Sequence, residues 1–89
     1  MIYATVTAEK GQRDESVERA IRFAAEANAA YVETGNQYEH GMCDGAIHAL
    51  RALYGTVCPE YYGSHLVTVY TDDCKYTITY EAKEEDKNG

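Results

Sequence analysis

The sequence predicts an α+β domain of two layers, an antiparallel helical hairpin packed on one face of a small three-stranded sheet, in the order β-α-α-β-β. Three observations predict it. Apolar and polar residues alternate with period 2 near both ends of the chain, two long segments of helical period lie between them, and a glycine follows each of those segments. At 89 residues there is room for one hydrophobic core and not for two. The single domain is expected over residues 1–81, with 82–89 a polar, frayed tail.

The first strand is read over Ile2 to Ala8, with Ile2, Ala4, Val6 and Ala8 inward and Tyr3, Thr5 and Thr7 outward. Asp14 is the expected N-cap of the first helix, and Glu15 and Glu18 stand in its first turn, where the helix dipole favours negative charge. The buried stripe is read as Val17, Ala20, Ile21, Ala24, Ala25, Asn28, Tyr31 and Val32, and Gly35 stops the helix. A second helix is expected from about Asn36 to Tyr54, ending at Gly55, with Tyr38, Met42, Ala46, Ile47, Leu50 and Leu53 facing the core. Gly41, Gly45, Ala49 and Ala52 form a second stripe of small residues. Two glycines inside a helix cost about 1 kcal/mol each against alanine, so close packing inside the molecule is expected there to offset them.

Residues 55–64 are read as the longest irregular stretch, because Pro59 disfavours a helical Cys58 and Gly63 permits a turn. Two further strands, Leu66 to Thr71 and Lys75 to Glu81, are joined at Asp72-Asp73. Pairing residue 69 with 76 and 67 with 78 collects Val67, Val69, Tyr76 and Ile78 on the core face and leaves Leu66, Thr68 and Tyr70 on the other.

Composition narrows the function. Forty-five per cent hydrophobic content with nine tyrosines excludes disorder for the body of the chain. Neither a membrane-spanning run nor a signal peptide is read, and three cysteines without framework spacing fit free thiols in a reducing compartment, so a cytoplasmic location is expected. A net charge of -7 argues against direct binding of nucleic acid, which requires Lys and Arg to displace counterions from phosphate. Residues 1–22 are balanced, with four acids and four bases, so the remaining residues carry the whole excess of acid. That asymmetry suits a partner with a basic surface, although acidity also serves solubility.

Chemistry-bearing groups are sparse. His40, Cys43, Asp44 and His48 lie within one helix, but a structural zinc site usually takes four ligands with paired cysteines, and no such pair exists here. Any of the thiols could pair with His40, His48 or His65, yet nothing supplies an orienting group or an oxyanion hole. No phosphate-cradling glycine motif is found. The expectation is therefore of no enzyme and no cofactor. Exposed tyrosine beside acid is what protein interfaces enrich, which singles out Tyr70 with Asp72 and Asp73, and the Glu60-Tyr61-Tyr62 segment, as candidate partner-binding residues.

In size, acidity, Tyr-Asp-Glu-rich surface and order of elements the chain resembles the small acidic proteins that bacteriophages encode against host defence, anti-CRISPR proteins in particular. The resemblance is one of whole-chain character and carries no motif. It implies inhibition by stoichiometric binding, often by occupying a positively charged nucleic-acid channel or by blocking a working surface of an effector. The alternative is an assembly protein that self-associates, as a homodimer for example, through its Thr/Tyr sheet face or an exposed edge strand. A cysteine-dependent enzyme ranks third.

Overall fold

The computed structural model describes residues 2–82; the predicted frayed tail lies, from Lys83 onward, outside the described residues. The order is β1 (Ile2–Gly11), α1 (Glu15–Thr34), α2 (Gln37–Tyr54), β2 (Val57–Tyr62), β3 (His65–Thr71) and β4 (Cys74–Ala82). The class is the expected one, but the sheet has four strands, all antiparallel, in the order β1-β4-β3-β2.

The additional strand is β2, in the segment read as irregular. Pro59 does not prevent it, because β2 is an edge strand and a missing N–H can face away from the sheet. Val57, Tyr61 and Tyr62 favour extended backbone, and the two-residue connection Gly63-Ser64 reverses the chain, Gly63 supplying the positive φ of 62°.

The predicted pairing of β3 with β4 holds, with Val69 opposite Tyr76 and Tyr70 opposite Lys75. The predicted core face does not hold throughout. Opposite β2 the register shifts, Glu60 pairing with Thr68 but Tyr61 with Leu66, so Val67 is an extra, bulged residue. The bulge turns Leu66 into the core at 0 % exposure while Val67 is only partly buried. Strict alternation counts residues and cannot see an inserted one. The facing of β1 is as predicted, Ala4 buried with Ile2, Val6 and Ala8 partly so, and Tyr3, Thr5 and Thr7 exposed, but the strand continues past Ala8 to Gly11 with a register shift between Ala8 and Lys10.

Helix α1 starts where Asp14 accepts hydrogen bonds from the Ser16 and Val17 amides at 2.9 and 3.3 Å, and ends at Gly35. It lies over β1, β3 and β4 and against α2, so it buries a wider arc than one stripe. Ala27 and Ala29 are buried along with Val17, Ile21, Ala24 and Ala25, while Val32, expected inward, is exposed. Its alanines let α1 approach both neighbours closely.

Helix α2 packs chiefly on α1, has β2 as the strand beneath it, and buries Cys43, Ile47 and Leu50. The predicted stripe is rotated: Tyr38 is 71 % and Leu53 75 % exposed, because with only an edge strand beneath it α2 buries a narrow arc. The small residues were expected to pack closely, yet a Cβ added at Gly41 or Gly45 would meet nothing within 4 Å. That stripe faces outward.

Candidate functional site

Both helices lie on one face of the sheet, and the other face has no covering layer among the described residues. Partners in the ladders share a face, so the pairing assembles that open surface in rows. Cys58, Tyr70, Lys75 and Lys10 make one row, Glu60, Thr68, Thr77 and Thr7 the next, followed by Thr79 with Thr5 and Glu81 with Tyr3. β-branched threonines and aromatic tyrosines suit a pleated surface, and five threonines here give it hydroxyls in place of apolar side chains. Thr77 Oγ1 is covered by its neighbours and has no hydrogen-bond partner.

Tyr70 sits on this face, as the sequence suggested, and Glu60, read as part of an irregular segment, joins it in the adjacent row. The Lys75 ammonium lies 5.8 Å from the Tyr70 ring centroid and 3.9 Å from a Glu9 carboxylate oxygen, so this base, opposite Lys10 in its row, is shared between an aromatic ring and an acid. Asp72 and Asp73 form the exposed tip between β3 and β4. Thr71 shapes that tip: its hydroxyl accepts from the Asp73 and Cys74 amides at 3.3 and 3.1 Å. The carbonyl of Asp73 accepts from the Gln12 amide at 2.8 Å, docking the tip against the end of β1. Gly11 makes this approach feasible, since with φ 95° an added Cβ there would stand 1.7 Å from the Asp73 oxygen.

The six sequence-predicted residues do not converge on one spot. Tyr70, Asp72 and Asp73 lie at one end of β3, and Tyr61 and Tyr62, paired with Leu66 and His65, at the other, separated by roughly 20 Å at the usual rise per strand residue. Glu60 lies between them. Tyr62 is 73 % exposed. Tyr61, opposite Leu66, turns instead toward the helices, where its hydroxyl engages the Cys43 thiol. Burial first, and the thiol second, push the Tyr61 hydroxyl up to about 12. Tyr61 nevertheless keeps 46 % of its surface exposed.

Sequence reasoning missed the clamp that fixes this second end. Asn28, counted there within an apolar stripe, is the one buried polar residue described, at 4 % exposure. Its Nδ2 donates to the Ser64 carbonyl at 3.1 Å and its Oδ1 accepts from the Leu66 amide at 2.9 Å, so α1 holds the β2–β3 turn where it enters β3. An asparagine at a core position of a helical stripe was the signal, because a buried amide must find partners.

A cavity of about 210 Å³ beside the turn is lined by Asn28, Tyr31, His40, Cys43, Asp44, Tyr61 and Ser64. It gathers the groups that a cysteine-histidine reading would use. Burial pushes the Cys43 thiol up, with the Tyr61 hydrogen bond acting against it, whereas a nucleophilic thiol needs the opposite shift. His40 lies against the Tyr31 ring, centroids 4.9 Å apart. Cys43 and Cys74 are buried, Cys58 is exposed, and all three are free thiols. Among the described residues no three His, Cys, Asp or Glu side chains are grouped to hold a metal ion, and no helix is long and apolar enough to cross a membrane.

Taken together, fold and surface define a two-layer α+β domain that presents one bare, tyrosine- and threonine-bearing sheet face with an acidic tip. No protein-family model, no curated protein and no solved structure matches the chain.

Proposed function

We propose that the protein is a binding protein that acts by stoichiometric occupation of a basic surface on a protein partner, in the manner of the small acidic phage inhibitors it resembles. The partner is then a nucleic-acid-handling defence complex of the host cytoplasm, whose Lys and Arg would otherwise meet phosphate. One observation carries this reading: the bare sheet face ends in an exposed Asp72-Asp73 tip flanked by Tyr70, which pairs rigid aromatic area with carboxylates. Such a combination concentrates binding energy in few residues, and charge complementarity steers the encounter.

The test begins with affinity capture from a bacterial lysate and identification of the retained protein. Asp72→Lys with Asp73→Lys should then weaken binding to it by about tenfold or more, equivalent to about 1.4 kcal/mol, and make the affinity less sensitive to salt. The control reverses Glu84 and Glu85, acids of the polar tail by sequence, and should lose much less. Equal losses in both variants would reduce the reading to diffuse charge attraction, and no loss in either would overturn it.

A second reading, self-association, is favoured by the position of β1 at the edge of the sheet, with no strand on its outer side among the described residues, although Glu26 already occupies the Ala4 amide there. Light scattering across a concentration series decides it, a constant monomer mass counting against it.

A further inference from the structure

A groove of about 320 Å³ runs between the start of β1, the middle of α1 and the first turns of α2. Its walls are largely apolar, formed by Ile2, Phe23, Ala27, Ala30 and Met42. Phe23 is 50 % exposed, although Ala24 beside it in the chain is fully buried, so an aromatic ring is displayed at the groove instead of being packed away. Tyr3 and three carboxylates complete the lining, Glu26 and Glu33 from α1 and Glu39 from α2. Glu26 is held in place, accepting the Ala4 amide of the β1 edge at 2.9 Å, with the Arg22 guanidinium 3.7 Å away. Glu33 and Glu39 have no ion-pair partner among the described residues.

We infer that this groove receives an arginine-bearing segment of a protein partner, the side-chain stem lying on Phe23 and Met42 and the guanidinium meeting Glu33 and Glu39. Charge complementarity selects this occupant. An anionic segment would be repelled by three carboxylates, and a purely apolar one would desolvate Glu33 and Glu39 without a counter-charge. Arginine fits better than lysine, because a planar, weakly hydrated guanidinium stacks on an aromatic ring and forks onto carboxylates, whereas ammonium is compact and strongly hydrated. An apolar wall behind the carboxylates lowers the local dielectric and strengthens the pair relative to an exposed one.

The inference rests on the proposal of a basic protein partner but uses a different surface. The groove opens at the Ile2 end of β1, while the Asp72-Asp73 tip docks beside Gly11 at the other end of that strand, ten residues or roughly 30 Å along it. The two surfaces can therefore succeed or fail separately.

The experiment uses the full chain, labelled for NMR, and titrates acetyl-Arg-Leu-Arg-amide, with acetyl-Lys-Leu-Lys-amide and acetyl-Gln-Leu-Gln-amide as comparison probes. Saturable shifts are expected at Phe23, Ala27, Ala30 and Met42, strongest with the arginine peptide and absent with the glutamine peptide. Glu33→Gln with Glu39→Gln should raise the dissociation constant by about tenfold or more, and Phe23→Ser should weaken binding too. None of these three side chains lies in the core, and an unchanged amide spectrum elsewhere verifies that each variant is folded. Asp72→Lys with Asp73→Lys should leave the peptide shifts in place, so a loss of captured partner in that variant concerns the sheet face alone. Shifts spread over all acidic residues, equal binding of the arginine and lysine peptides, or no effect of Glu33→Gln with Glu39→Gln would overturn the inference.

Discussion

Replacing Asn28 with alanine tests whether one buried amide holds the β2–β3 turn. The substitution removes the acceptor of the Leu66 amide and the donor to the Ser64 carbonyl. Leu66 is fully buried, so water does not readily replace the first of these partners. An unsatisfied buried donor costs about 1–3 kcal/mol and a lost hydrogen bond about 0.5–1.5 kcal/mol. Alanine returns about 0.5 kcal/mol through its better helix propensity. The net expectation is a loss of about 1–4 kcal/mol, which in a domain of this size lowers the melting temperature by roughly 4–30 °C. Urea unfolding followed by circular dichroism, with the slope unchanged, measures it. Amide exchange should show Leu66 opening more often than Val69, which lies in the same strand but is not hydrogen-bonded to Asn28. A loss below about 0.5 kcal/mol would refute the reasoning, since it would mean that the turn keeps its place without the clamp.

Three other outcomes follow from local geometry. Gly45→Ala should stabilise the fold by about 1 kcal/mol, because the added methyl meets open space on a helix, while Gly11→Ala should destabilise it strongly by driving a Cβ into the Asp73 carbonyl; paired thermal melts compare them. Alkaline titration should unfold the protein early: burial raises the Tyr61 and Tyr80 hydroxyls, so the native state holds protons that the unfolded chain releases, and stability is lost as pH climbs from about 10 through the folded value of about 12 for Tyr61. Denaturant midpoints between pH 8 and 12 check this, and Tyr61→Phe should flatten the decline. A thiol reagent should modify exposed Cys58 in the native protein and reach Cys43 and Cys74 only on unfolding; mass spectrometry of partly labelled protein reads the order.

Helix boundaries were legible because their signals are local: Asp14 and Asn36 cap, and Gly35 and Gly55 end, the two segments. The β3–β4 register was legible for the same reason, a two-residue tip leaving few alternatives. What escaped the sequence depended on partners far along the chain. Whether Pro59 ends a strand or decorates one turns on whether that strand lies at an edge, which no local pattern states. The Val67 bulge, and with it the inward turn of Leu66, arises from pairing with β2. The same is true of the candidate site. Tyr70 was placed by alternation, which fixes the face, whereas Glu60 and Tyr61 fell in the segment read as irregular, so the side of the sheet that each takes was not legible. The acid-rimmed groove could not be read at all, for Phe23, Glu39 and Met42 come together only when the helical hairpin closes on β1.

The strand order also dictates when the domain can exist. β4 is the central seam: it takes β1 on one side and β3 on the other, with Ile2 meeting Ala82. The α1–α2 hairpin and the β2-β3-β4 meander close short loops, but β1 waits for a partner synthesised last, and loop-closure entropy opposes that contact until the rest is in place. On a ribosome the N-terminal strand therefore emerges first and docks last. During that interval its apolar residues Ile2, Val6 and Ala8 have no sheet to join, which makes a chaperone's brief hold on the nascent chain, or a cut just before β4, the point at which this fold is most easily prevented.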